Sequence, residues 1–380
     1  TTLFRSTGIA PPQTFPLMNG SIHQLALAAG GTHDRLFIDV PPGSGQLTVE
    51  AGGADEAQNN GLVLELKRLE FADALNPVPF AASPSNAPVL VSANGVGGIG
   101  PSITVIDPQP GRWYAVLTNT NGSHSKVKVR ATAEFQGAPF AVQPGLWLPG
   151  SRPDVRQGYE YNVGGDASSQ VLVWYTYDEA GQPAWYIAGG PASGTNIWTA
   201  ELLRYTNNGA EQQGAKVGYV SVSNVGENEQ MFSYTLFGQS ASERMVPIAT
   251  PGCPQGSMSY TGLWYPGFDG LGGGSVLVNA QTQSQIHYLF DGAGAPRWLA
   301  AAEQDISPTI PELPMLQFSG YCAVCEANEV TSQTVGVSER TFSSESQGSW
   351  TLDYLLRAPL SGSVERTDAI QKLTDRLDCQ

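Results

Sequence analysis

Positive charge is scarce in this chain: 19 Lys and Arg stand against 34 Asp and Glu, giving a formal net charge of −15 over 380 residues. Neutralising a phosphate backbone needs clustered cations, so the shortage excludes nucleic acid as a partner. Anionic membrane surfaces are disfavoured for the same reason. Long apolar runs are missing too. None approaches the ~18–20 residues that span a bilayer, so no membrane insertion is expected. Charged residues make up only 14% of the chain, too few for the Lys-, Glu- and Arg-rich surfaces of helical proteins.

Chemical motifs are equally sparse. The four histidines are His23, His33, His124 and His287, and no His-Glu-x-x-His, phosphate-cradling Gly loop or EF-hand loop accompanies them. A nucleophile elbow needs Gly-x-Ser-x-Gly. The nearest approach, Gly273-Gly-Ser275-Val-Leu277, lacks the closing Gly. His33-Asp34 sets an imidazole beside a carboxylate, but neighbours on a strand point to opposite faces. His287, between Ile286 and Tyr288, reads as a strand residue facing solvent or bonded to backbone. No catalytic residue, metal site or cofactor is therefore expected.

The four cysteines, Cys253, Cys322, Cys325 and Cys379, all lie in the last third. Zinc usually wants two Cys-x-x-Cys pairs or His partners, and a redox use of Cys322-Ala-Val-Cys325 wants βαβ context. Two disulfides remain the better reading in a chain of secreted-type composition. We expect Cys253–Cys379 as a clasp around the last module and Cys322–Cys325 as a local bridge, among three possible connectivities.

What the sequence does have is glycine, proline and aromatics: 44 Gly, 27 Pro, 8 Trp, 14 Tyr and 13 Phe. That composition suits many short strands and turns, and the length suits several domains. The organising stretch is Val171–Gly189, two apolar and aromatic runs around an Asp178–Gly181 turn. It reads as a hairpin. The pattern returns at Ile286–Ala301, where Asp178, Gly181, Pro183 and Trp185 are answered by Asp291, Gly294, Pro296 and Trp298 (298 − 185 = 113). Each copy opens alike, as Gly145-Leu-Trp-Leu-Pro149 and Gly262-Leu-Trp-Tyr-Pro266. Trp147 and Trp264 read as core plugs. Each copy then carries a Val-Gly pair, Val217-Gly218 and Val335-Gly336. Each closes on an alternating strand, Phe232, Tyr234, Leu236 against Leu352, Tyr354, Leu356.

Before the duplication, residues 20–135 are patterned as several short strands, ending in the period-2 run Lys126-Val-Lys-Val-Arg-Ala131. Residues 72–97 read as a long loop. The expected class is all-β: a jelly-roll-like β-sandwich over 20–135, then two tandem related antiparallel β-barrel or β-sandwich modules over 140–250 and 253–380. The joint between sandwich and modules is placed at Gln136-Gly-Ala-Pro139, and Val364–Asp378 is read as a brief amphipathic helix. Residues 1–19 form an arm whose first six, Thr-Thr-Leu-Phe-Arg-Ser, match the translation of a sequencing-library adapter. On that expectation the natural N-terminus is missing, which leaves room for a catalytic domain before residue 7.

Residues 20–135 resemble the bacterial pre-peptidase C-terminal domain. The likeness rests on strand, Val40-Pro-Pro-Gly, Leu47-Thr-Val, then Pro110-Gly-Arg-Trp-Tyr-Ala-Val-Leu117 and the alternating final strand. The resemblance implies a small sandwich appended to a secreted peptidase or other exported enzyme. Asp55-Glu-Ala-Gln-Asn-Asn-Gly61 departs from the family's Asp-x-Asp-Leu-Tyr-Val segment, so the resemblance carries over no calcium site. The Gly-Leu-Trp-Tyr openings resemble paired repeats of secreted gammaproteobacterial proteins.

The aromatics are the candidate binding residues: Trp174, Tyr175, Tyr177, Trp185 and Tyr186 in the first copy, Tyr288 and Trp298 in the second. Alternate residues of a strand point opposite ways. One ring face packs on a core, and the other offers either a flat platform for sugars or a second buried surface. The Asp178 and Asp291 loops offer too few oxygens for calcium and fit turn chemistry instead. The expected function is a non-catalytic, secreted accessory or binding protein. Its partners would be a neutral polysaccharide or cell-surface ligand and an upstream catalytic domain. The alternatives are a self-assembling, adhesin-like protein and a hydrolase with an unrecognised site.

Overall fold

The computed structural model describes residues 15–374 apart from 18–21, 41–43, 54, 70–86, 121–124, 136–144, 151, 164–167, 193–196, 210, 227, 238, 249–259, 268–271, 279–281, 305–306, 324 and 326–327. The chain divides into two compact units. One is Thr1–Ala138 with Ser221–Ser223 and Ser233–Ser242, and the other is Pro139–Val220 with Asn224–Phe232 and Glu243–Gln380. The joint read at Gln136–Pro139 lies outside the described residues.

The first unit carries a β-sandwich. Its strands are β1 (Phe15–Pro16), β2 (Ile22–Leu27), β3 (Thr32–Val40), β4 (Ser44–Gly52), β5 (Leu62–Leu69), β6 (Val89–Asn94), β7 (Ser102–Ile106), β8 (Gly111–Asn119) and β9 (Ser125–Phe135). They form two sheets, β1-β3-β8-β5-β6 and β2-β9-β4-β7. The alternation read in the last strand holds: Val127, Val129 and Ala131 are buried between exposed Lys126, Lys128 and Arg130. One expectation needs correction. Val89–Asn94 pairs with β5 as an edge strand, so the loop read over 72–97 ends earlier. Residues Phe15–Pro16 of the arm pair in parallel with Leu36–Phe37. The segment that departs from the resembled family is a helical turn, Glu56–Asn59, capped by Asp55 Oδ1 accepting from Gln58 N at 2.9 Å.

The duplicated modules are two closed eight-stranded barrels, each with strands in sequence order around the ring. The first runs β10 (Gly145–Pro149), β11 (Gly158–Val163), β12 (Ser169–Tyr177), β13 (Pro183–Pro191), β14 (Ile197–Asn207), β15 (Gln212–Gly226), β16 (Glu229–Leu236) and β17 (Gln239–Pro247). The second runs β18 (Gly262–Tyr265), β19 (Gly273–Val278), β20 (Gln283–Phe290), β21 (Pro296–Glu303), β22 (Thr309–Ser319), β23 (Thr331–Phe342), β24 (Gln347–Leu355) and β25 (Ser363–Lys372). Closure removes the free sheet edges that a short antiparallel module would otherwise expose.

The interiors follow from the period-2 pattern. In the first barrel Trp147, Tyr159, Trp174, Tyr186 and Phe232 are buried, and the Trp174 ring centroid lies 5.7 Å from Tyr186 and 5.2 Å from Phe232. In the second, Trp264 stacks on Phe342 at 4.4 Å within an apolar core that includes Leu289, Leu299 and Met315. Trp147 and Trp264 are the core plugs their openings suggested. The helix read over Val364–Asp378 is wrong for its described part. Ser363–Lys372 pairs with β24 along its length and with β18 at its end, closing the ring. Val364, Arg366, Asp368 and Ile370 alternate with exposed residues, and ladder closure overrides a charge pattern that also suits a helix.

Candidate functional site

The hairpins β12–β13 and β20–β21 place every candidate ring. In the first, Tyr175 pairs with Trp185 and Trp174 with Tyr186; in the second, Tyr288 pairs with Trp298. The expected open platform is not there. Trp174, Tyr175, Tyr177, Trp185, Tyr186, Tyr288 and Trp298 are all at most 7% exposed. Trp174 and Tyr186 point into the first barrel, while Tyr175, Tyr177, Trp185, Tyr288 and Trp298 share an apolar cluster that joins the barrels to each other. Burial, foremost, raises the Tyr175 and Tyr288 phenols above their ordinary range and lifts Tyr186 to about 12.

The joint is built twice over. Trp185 Nε1 donates to Leu289 O at 3.1 Å, and Trp298 Nε1 donates to Thr176 O at 2.6 Å. Trp185 meets Tyr288 at 5.9 Å and Phe290 at 5.5 Å; Trp298 meets Tyr175 at 5.5 Å and Tyr177 at 5.7 Å. Tyr205 stacks on Trp185 as Phe318 stacks on Trp298. Every partner obeys the same spacing (289 − 176 = 113; 318 − 205 = 113). Across the joint the contacts of one copy are therefore returned by the other, as in an isologous dimer.

The turns complete it. Asn207 N donates to Gly294 O and Gly320 N to Gly181 O, both at 3.0 Å. Gly181 and Gly294 take φ of 75° and 76°, and a Cβ on Gly294 would sit 1.9 Å from Asn207 O. Only glycine suits both demands. Asp178 Oδ1 accepts from Ala180 N and Gln182 N, and Asp291 Oδ1 from Ala293 N and Ala295 N. These are Asx turns, as the loop chemistry implied. One group breaks the mirror. Arg297, whose counterpart is Ala184, donates from Nε to Asp291 and from a terminal nitrogen to Asp178, each at 2.7 Å. A single arginine neutralises both turn carboxylates.

Glu160 lies inside the same joint. Its Oε1 accepts from Asn162 at 2.6 Å, and its Oε2 is buried without a partner. Burial holds its carboxyl well above the usual carboxylate range, which favours its neutral form. Ser275, the would-be nucleophile, is fully buried with its Oγ 2.7 Å from the Tyr288 hydroxyl. Beside His33, the Asp34 carboxylate pairs with Arg35 at 3.2 Å.

His287 corrects another expectation. It points into the second barrel, with its ring edge-on to Trp350 at 5.2 Å and both nitrogens unpartnered. Its first-barrel counterpart is Trp174 (287 − 174 = 113). Gln285 and Ser338 also carry buried polar atoms without partners there, and Arg340 approaches from the facing strand. Burial, with Arg340 adding to it, lowers the His287 pKa to about 4 from 6.5. Neutral His287 therefore stabilises the fold above pH 6.5, and the contribution is lost as pH falls towards 4. At about 1.4 kcal/mol per unit, urea unfolding is expected to lose about 3 kcal/mol across that window, and His287→Phe to flatten the fall. Equal pH profiles for the two proteins would contradict the enclosed imidazole.

Beside the joint lies a cleft of about 410 Å³. Leu146, Leu148, Tyr175 and Ile248 form one wall; Ile286, Trp298, Ala300, Leu316 and Phe318 form the other. Its polar lining is Arg156, Gln157, Ser284 and Ser332. The mirror between the copies fails there. The first-barrel counterparts of Ser284 and Ala300 are Val171 and Ile187, at the spacing of 113, so two branched side chains have been cut back. The short 3-10 turn Pro153–Val155 delivers Arg156 to the rim, with Arg156 itself in the left-handed region at φ 54°. Sequence reasoning missed this site, although the mismatched pairs Val171/Ser284 and Ile187/Ala300 were its available signal.

Among the described residues no cluster of His, Cys, Asp or Glu could hold a metal ion. Cys322 and Cys325 form a disulfide, and Cys253 and Cys379 lie outside the described residues. No described helix is long and apolar enough to cross a membrane. Comparison with family models and with curated proteins finds no match for the chain.

Proposed function

We infer that the chain is a non-catalytic binding protein that accompanies an exported enzyme or serves at a cell surface, and that its ligand enters the cleft beside the barrel joint. The observation that carries this reading is the cleft itself. It is concave, largely apolar, edged by a few polar groups and framed by two barrels locked together, which is how small-molecule sites are usually built. The rings first assigned to a sugar platform supply the frame instead. Glu160 and Ser275 are enclosed within it, so neither supports a chemical step on a diffusing substrate. The Cys322–Cys325 bridge supports an oxidising, extracytoplasmic setting.

A thermal-shift screen of the whole chain against small apolar and amphiphilic compounds, with neutral polysaccharides alongside, tests the reading. Hits that raise the melting temperature are expected among the compounds and are expected to vanish in Ala300→Ile. A screen in which only polysaccharides bind, lost on Trp185→Ala, would restore the sugar reading. Self-assembly is favoured by a separate observation, exposed Ile22, Leu90, Val96, Ile99 and Ile106 on the sandwich. Concentration-dependent mass in light scattering would support it.

A further inference from the structure

We propose that the cleft beside the barrel joint is selective for amphiphilic monocarboxylates, molecules with one anionic head and an aliphatic or aromatic body. The proposal rests on the cleft being a binding site and names the chemistry it selects. The body is specified by the walls: Leu146, Leu148, Ile286, Leu316 and Phe318 offer hydrocarbon and none of the dense hydrogen-bonding groups that a sugar's hydroxyls need. The volume, about 410 Å³, falls within the 300–1,000 Å³ range of small-molecule sites.

The head is specified by Arg156. Arg156 lines the cleft, is exposed, and its side chain forms no hydrogen bond or ion pair with any described residue. Other arginines near the joint are engaged: Arg152 pairs with Glu243 at 2.6 Å and Arg297 with Asp178 and Asp291. Arg156 is thus a cation at an apolar rim whose planar fork is open to a bidentate carboxylate. The backbone supports the placement. A non-glycine residue in the left-handed region is held there at a cost, and here the turn aims an arginine at the opening. Gln157 beside it is fixed by Thr176 Oγ1 donating to its Oε1 at 2.6 Å, so the rim is preorganised.

The depth is specified by the broken mirror. Where the first barrel has Val171 and Ile187, the second has Ser284 and Ala300, and the removed branches leave the hollow that a hydrocarbon body fills. Restoring Ile at 300 and Val at 284 should therefore close the cleft with residues the same fold already accommodates.

The test uses the whole chain and a dansyl-labelled undecanoic acid, with its methyl ester and unlabelled decanoic acid for competition. Saturable dansyl enhancement displaced by decanoic acid is expected, with the ester bound at least about tenfold more weakly than the acid. Arg156→Gln should weaken the acid about tenfold and leave the ester nearly unchanged. Ala300→Ile should weaken both by tenfold or more, and Ser284→Val gives a second, milder plug should the first alter folding by near-ultraviolet circular dichroism. Equal affinity for acid and ester in the wild type would overturn the carboxylate selectivity while leaving the cleft as a site. Binding unchanged by both plugs, or no dansyl binding while other compounds stabilise the protein through the cleft, would overturn the proposal and spare the binding reading. No compound acting through the cleft would overturn both.

Discussion

Replacing Trp298 by alanine is expected to cost about 3–5 kcal/mol of unfolding free energy, the range for truncating a buried aromatic. The side chain is 1% exposed and packs against Tyr175, Tyr177 and Phe318. Its indole also donates to Thr176 O, a bond across the joint that the alanine would lose. Since Trp298 belongs to the second barrel and all but one of those partners to the first, the loss falls on the joint. Trp185→Ala should behave alike, because its contacts are the returned set. The double variant should lose less than the two added together, since an opened joint leaves the second indole little to hold. Urea titrations of the three variants measure this. A Trp298→Ala penalty below about 1 kcal/mol, the level of an ordinary surface change, would mean that the barrels are not held by these rings.

Arg297→Met is expected to be nearly as damaging, about 3–5 kcal/mol, by the rule for breaking a buried pair from one side. Burial opposes the arginine's charge, yet the Asp178 and Asp291 carboxylates outweigh it and raise its pKa above the ordinary guanidinium value. Removing it leaves the Asp291 carboxylate, 5% exposed, facing Asp178 with no counter-charge between them. Asp178→Asn should cost less, because Asp178 is 26% exposed and its Oδ1 keeps both turn hydrogen bonds. The double variant Asp178→Asn/Arg297→Met closes a cycle that isolates the bond between copies. A coupling near zero would reduce Arg297 to a partner of its own turn.

Much of this fold was legible in the sequence because its signals are local. The hairpin at Val171–Gly189 is written by alternating aromatics around Asp178 and Gly181, and its repeat at one fixed spacing gives the second barrel without further evidence. The joint was not legible. Alternation says that Tyr175 and Trp185 leave the barrel together, but a covered face and a bare one are spelled with the same residues. What covers them is the neighbouring copy, a long-range fact carried by no single motif. His287 misled for a related reason. Its sequence neighbours say strand, and only the closed ring decides that its side points inward beside Trp350. The strand Ser363–Lys372 was hidden because Val364, Arg366 and Asp368 satisfy helical and extended spacings alike until β18 and β24 claim both its edges.

The returned contacts have a consequence for biosynthesis. Tyr175, Tyr177 and Trp185 leave the ribosome well before Tyr288, Phe290 and Trp298, separated by 113 residues of chain (298 − 185 = 113). At roughly 5–20 residues per second the first barrel waits on the order of ten seconds with its greasy side uncovered. A nascent polypeptide stalled in that interval would display a sticky half-joint matched to the same surface on any sister molecule nearby, and pairing of strangers would compete with pairing of siblings.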